Sequence, residues 1–413
     1  MLFSQQNQLR FFAQLILICN FVRKLSIMGK KAFFIYTILC MLLCACGGDD
    51  GLKKSTETGI DEDDDNTTAT INDDYTYQIP VIFHVIYSDK DDPLQYVSST
   101  RLSNILDNVN EIYKGGIYGE SQNINVKFFL ATTDEKGNKL STPGIEYIKW
   151  PGDYPIEPHD FMGDQSGNNK QYIWEPNEYL NVMVYNFAKK ENSDGVVLGL
   201  SHLPYAVKSD SALVGLETVN RSNITKSMID YPHSASINSL YINSESTRYT
   251  KADKGKSGYT YNSADINVTV AHELGHYLGL HHMYTESGGE PVDSCGDTDF
   301  CEDTPSYNRV EYSEYLNYYI NHTAKEELNL RDMCLRNDCT GKSFYSANIM
   351  DYSMGYGYKF SEDQKYRMRW VLYNSPLMPG PKKKGKTIQR RDKENTETIK
   401  LPMRIVEDKL RFR

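Results

Sequence analysis

Residues 272–282 read HELGHYLGLHH. On a helix, His272 and His276 stand one turn apart and share a face. Two imidazoles so placed can hold one zinc ion at about 2.0–2.1 Å per bond. Glu273 is displaced to the side of that face, where it can reach a zinc-activated water without being a ligand. Gly279 lets the helix stop and the chain turn sharply, and the turn returns His282 to the same ion. Three protein ligands leave one position of a tetrahedral ion open, the pattern of a catalytic rather than a structural zinc site. HExxH alone is a short string; Gly279 and His282 at the right spacing make it far more specific. His281, one residue out of register, is read as a wall of the site and not as a ligand.

The elements that must position these groups are legible from periodicity. Residues 78–87 (QIPVIFHVIY) are β-branched and aromatic and read as a strand; the lone His84 inside it is expected to be a packed core group. Residues 101–113 place Leu102, Ile105, Leu106, Val109, Ile112 and Tyr113 at helical spacing. Strands are expected at 125–131, 178–187, 195–203 and 236–242, and the zinc helix at 264–278. Regularity then falls away: 283–348 carry Gly, Pro, Asp and cysteine with few apolar runs. A closing helix is expected at 361–373, with Ser361 and Gln364 as a capping box. The whole reads as one α+β catalytic domain at 75–375. Its upper lobe (75–282) holds a mixed twisted sheet with the active-site helix; its lower lobe (283–375) is loop-rich and disulfide-bonded and carries the C-terminal helix.

Cys295, Cys301, Cys334 and Cys339 all follow the zinc helix. Four cysteines in an exported domain imply two disulfides with three possible connectivities, and their spacing does not suit a four-cysteine zinc knot. No cysteine lies between 47 and 294, so none in that span can block the zinc.

Several stretches together give this chain a family likeness: PVIFHVIY near the start, HELGHYLGLHH, CGDTDFCEDTP at 295–305, and NIMDYS followed by FSEDQKYRM. With them it resembles the metzincins, specifically the pappalysin family of zinc endopeptidases, over most of 79–372. The resemblance implies that Met350 lies beneath the zinc site as the Met-turn, and that Tyr352 stands near the metal to hydrogen-bond the tetrahedral intermediate. It implies calcium at the acidic string that includes Asp299, Asp303 and Thr304, residues that read equally well as a solvated loop and turn. Family members that cleave before arginine carry acidic residues after the MDY triplet; Ser353-Met354-Gly355 stands there instead, so a basic preference is not carried over. The cysteine usual after MDY is also absent. An extended peptide is expected along an upper edge strand within 195–204.

The start of the chain reads as an export region. Residues 1–45 hold five basic and no acidic residues. Beginning at Met28, a basic stretch, an apolar run and small residues precede Cys46. Leu43-Cys44-Ala45-Cys46 resembles a bacterial lipobox, which implies translation from Met28, cleavage before Cys46, lipidation there, and anchoring to a bacterial membrane at the outer membrane or cell surface. The apolar run is shorter than the roughly 20 residues of a membrane span. Residues 46–74 are acidic and polar and read as a disordered tether. Loss of 1–45 takes the net charge from −10 to −15, which argues against nucleic-acid binding. The 376–413 end is basic and is read as a structureless tail. The sequence therefore points to an exported zinc endopeptidase of protein substrates; the alternative is a non-catalytic surface lipoprotein that binds host protein or glycan.

Overall fold

The computed structural model describes residues 74–117, 119–189, 195–246, 262–351, 354–379 and 398–410. The export region, Cys46, the tether, Tyr352 and the basic runs within 380–397 lie outside these residues. Among the described residues, no helix is long and apolar enough to cross a membrane.

The elements run β1 (Tyr77–Tyr87), α1 (Ser99–Lys114), β2 (Val126–Leu130), β3 (Ile145–Lys149), α2 (Pro158–Met162), β4 (Leu180–Tyr185), β5 (Val196–His202), β6 (Tyr205–Val207), β7 (Glu217–Val219), β8 (Ala235–Asn238), α3 (Ile266–Tyr277), β9 (Glu286–Ser287), β10 (Glu290–Pro291), α4 (Arg309–His322), α5 (Leu330–Met333), β11 (Leu335–Asn337), β12 (Ser343–Tyr345), α6 (Glu362–Asn374) and β13 (Ile405–Leu410). The main sheet is ordered β13-β5-β8-β4-β1-β2, with β3 also on β1. The first half of β1 pairs with β2 and the second half with β3, both in parallel. β1, β4 and β8 are parallel neighbours; β5 runs against them, and β13, antiparallel to β5, again shares their direction. The architecture is α+β with a mixed sheet.

Both faces of this sheet are covered, which is why residues 182–185 of β4 are apolar without a break. Period-two alternation divides it: Val182 and Val184 join one core with Val109 of α1 and Val270 and Leu274 of α3, whereas Met183 and Tyr185 join a second core with Leu200 and Tyr231. α1 forms on the expected stripe, with Leu102, Ile105, Leu106, Val109, Ile112 and Tyr113 all buried. Ser98 caps it through Arg101 N–H. The strand expected at 236–242 is shorter, because Asn238 accepts from Leu240 N–H and opens a 3₁₀ turn. His84 is buried, with its ring between Glu146 and Asn181.

Two expectations are corrected. The half after the zinc helix, loop-rich by sequence, holds a 14-residue helix, α4. Only Arg309 and Tyr312 of it are buried, so no apolar stripe announces it; Asn308 starts it by accepting from Val310 and Glu311 N–H. The end of the chain is not structureless throughout: 405–410 is a strand of the main sheet, with Val406 buried although Glu407, Asp408 and Lys409 follow it. α6 starts on the expected capping box, Ser361 and Gln364 satisfying each other's backbone.

Candidate active site

α3 begins where Asp265 accepts from Asn267 N–H and also holds Ser246 N–H. It is buried on nearly all sides, so its sequence shows no polar face. It ends at Leu278, whose N–H bonds back to Leu274 and Gly275 carbonyls. Gly279 has φ +91°, the left-handed region, and a Cβ there would come within 2.6 Å of Val371 on α6. Glycine is required at 279 by conformation and by space. Leu280 N–H then returns to the Gly275 carbonyl at 3.0 Å, which folds the chain back and brings His282 to the helix.

The three Nε2 atoms converge. His276 Nε2 lies 3.0 Å from His272 Nε2 and 3.2 Å from His282 Nε2. His272 Nδ1 faces the Ile349 carbonyl at 2.8 Å, and His276 Nδ1 the Leu280 carbonyl at 2.8 Å. His282 Nδ1 faces the Glu286 carboxylate at 2.8 Å. Each Nδ1 must therefore carry the hydrogen, which leaves each Nε2 with an outward lone pair. Three lone pairs pointed at one another repel unless a cation lies among them. A tetrahedral ion with bonds of about 2.0–2.1 Å sets its ligands roughly 3.3 Å apart, close to the spacing seen. The residues fit zinc. Burial, then the neighbouring imidazoles, depress the pKa of His276 and of His282, so both rings stay neutral and able to ligate. Among the described residues this is the one group of three or more histidine, cysteine or acidic side chains arranged to hold a metal.

Glu273 is fully buried and sits against β5, where a Cβ on Gly199 would come within 2.5 Å of its Cγ and Oε1. β5 thus passes the carboxylate at the closest approach a backbone allows. Met350 lies under the helix: a Cβ on Gly275 would be 2.5 Å from its Sδ. Its loop is fixed by Asp351, which accepts from Tyr307 Oη at 2.7 Å and from Ser346, and pairs with Arg336 Nε at 3.1 Å. Both partners of that ion pair are buried. Because Ile349 carries the carbonyl that orients His272, this anchoring reaches the metal ligands. His281 is buried beside Phe300 and Glu286 and turned away from the three rings' Nε2 cluster.

The acidic string is used locally. Asp299 accepts from Cys301 N–H and the Thr304 hydroxyl, and burial pushes its carboxyl up to about 8. Asp303 instead accepts from Glu362 and Asp363 N–H at the start of α6. Of the four cysteines, Cys295 and Cys339 form a disulfide. The second expected bridge is absent: Cys301 and Cys334 are buried outside it, the Cys301 thiol turned onto the Asp299 carbonyl and Cys334 serving as the C-cap of α5. Sequence reasoning missed Glu286 and Gly199. A carboxylate four residues past the third histidine is a usable signal for the first; the second needs the fold.

Residues 245–373 match the model of the peptidase family described as "Pregnancy-associated plasma protein-A". This segment is pappalysin-like. The pappalysin-type stretch contains α3, the His282 turn and the Met350 loop. No curated relative matches the chain. Among solved structures, mature mirolysin of Tannerella forsythia in complex with a cleaved peptide is 20% identical, covering 72% of this chain and 92% of its own, with a TM-score of 0.46. A promirolysin mutant of the same organism is 19% identical, covering 76% and 87%, with a TM-score of 0.47.

Proposed function

We propose that this chain is an exported zinc endopeptidase that hydrolyses peptide bonds of protein substrates. The observation that carries the reading is the convergence of three hydrogen-free imidazole Nε2 atoms beside a buried glutamate. Zinc, when bound, supplies Lewis acidity toward a peptide carbonyl and makes water acidic enough to lose a proton near neutrality. His272, His276 and His282 would hold the ion, each kept in one tautomer by Ile349 O, Leu280 O and Glu286. Glu273 takes the proton of the attacking water on a carboxylate oxygen and returns it to the leaving amine. Gly199 confines that carboxylate, and burial excludes competing water. Met350 supports the ligand helix from below. Tyr352 is assigned a hydrogen bond to the developing oxyanion.

Glu273→Gln tests the role directly. The variant should bind zinc as the wild type does and lose cleavage of casein; full cleavage by it would refute the assignment. If the wild type, zinc-loaded, cleaves nothing in a proteome-derived peptide library, the binding-lipoprotein reading replaces this one. Export and anchoring through Cys46 belong to the same proposal: Cys46→Ala should move the protein from the membrane to the soluble fraction. Calcium is assigned to the string that includes Asp299, Asp303 and Thr304, where a cation would ionise the buried Asp299 carboxyl. A calcium-selective chelator in zinc-replete buffer should lower the melting temperature; an unchanged melt removes the assignment.

A further inference from the structure

The outer edge of β5 is occupied by the chain's own end. β13 pairs antiparallel with it from Ile405–His202 to Leu410–Val196, and residue 408 stands opposite Gly199, the residue packed against Glu273. Strand neighbours lie about 4.8 Å apart, so the backbone at 408 is one strand from the strand that confines the proposed general base. The other edge of β5 is taken by β8. A strand has two edges, so an extended peptide that adds to β5 must use the place where β13 lies. The attachment is built. Leu203 N–H donates to the Arg404 carbonyl at 3.0 Å, and Ile399 N–H to the Met228 carbonyl at 2.9 Å. His159 Nε2 meets Glu407 at 2.5 Å. Arg404 Nη2 is 3.7 Å from Glu286, the carboxylate that orients His282. Val406 and Leu401 are both buried.

We propose that the 398–410 segment is an autoinhibitory strap: an internal peptide that occupies the substrate edge of β5 and latches through Arg404 onto Glu286. This rests on the peptidase reading above. The occupant is chemically a peptide with a buried aliphatic residue at 406, preceded by Arg404 and Ile405 and followed by the charged Glu407. Substrate therefore competes with a tethered strand, and release of the tether exposes the edge.

The test uses the full chain, zinc-loaded, with a site-specific protease sequence inserted between Arg390 and Arg391. Clipping after folding removes the tether, which otherwise keeps the strand at an effective concentration in the millimolar range. The clipped protein should turn over an internally quenched peptide with kcat/KM raised at least about tenfold, mainly through KM, and the synthetic 398–410 peptide should inhibit it competitively. Arg404→Ala and Val406→Pro in the unclipped chain should show the same direction with circular dichroism unchanged. Equal kcat/KM before and after clipping overturns the strap while leaving the peptidase reading intact. A second readout does not depend on turnover: labelled 398–410 peptide should bind the clipped Glu273→Gln protein saturably, and absence of binding overturns the strap. Inactivity of both clipped and intact forms, with zinc bound, contradicts the peptidase reading itself.

Discussion

Replacing Gly199 with alanine should disable catalysis without touching the metal. The added Cβ would stand 2.5 Å from both Cγ and Oε1 of Glu273 and 2.7 Å from Cδ. Ordinary carbon contacts are roughly 3.5–4.0 Å, so one partner must yield by about 1 Å. The glutamate is fully buried on α3, and β5 is held between β8 and β13, so the carboxylate is the group that moves. A displacement of about 1 Å at a catalytic group costs on the order of 100-fold in rate, equivalent to about 2.7 kcal/mol of barrier. The three imidazoles are oriented by Ile349, Leu280 and Glu286 and not by β5, so zinc content should stay at wild-type level. The assay is kcat on an internally quenched peptide beside zinc analysis of the same sample, with Glu273→Gln as the floor. A Gly199→Ala protein with wild-type kcat would refute the placement of Glu273 against β5. A protein that lost zinc in step with activity would show that β5 positions the metal instead.

Other changes probe other contacts. Glu286→Gln leaves a hydrogen-bond acceptor at His282 Nδ1 but removes the charge, and should weaken zinc affinity about 10–100-fold in a competitive chelator titration; unchanged affinity would remove Glu286 from the site. Asp351→Ala strands the buried Arg336 guanidinium and should cost about 3–5 kcal/mol in chemical denaturation; a loss under 1 kcal/mol would mean the pair does not anchor the Met350 loop. Burial holds His202 near 4, below its ordinary 6.5. The unfolded chain thus takes up a proton at this residue first as pH falls, so the His202 contribution to stability is constant above about 6.5 and declines toward pH 4 by about 3 kcal/mol. His202→Gln should flatten that decline, and an unaltered slope would assign it to other groups.

Much of the site was legible because its chemistry is local. His272, Glu273 and His276 lie on one helix, and Gly279 and His282 follow within one turn, so spacing alone assembled the ligand set. The strands were readable where both sheet faces are buried, as in β1 and β4. What escaped depends on distant chain segments meeting. Gly199 looks like any strand glycine until Glu273 is seen against it. The second disulfide was expected from cysteine parity, but Cys301 and Cys334 are committed to separate local structures. α4 lacks an apolar stripe, and β13 carries Glu407, Asp408 and Lys409, which mask a strand whose partner lies some 200 residues earlier.

The central claim is that three imidazole nitrogens share one zinc ion. X-ray absorption at the zinc edge of the zinc-replete protein tests this most directly. The expected spectrum has three imidazole nitrogens at about 2.0–2.1 Å and a light oxygen donor, without sulfur. Zinc bound through sulfur at about 2.3 Å, or no stoichiometric zinc at all, would contradict it.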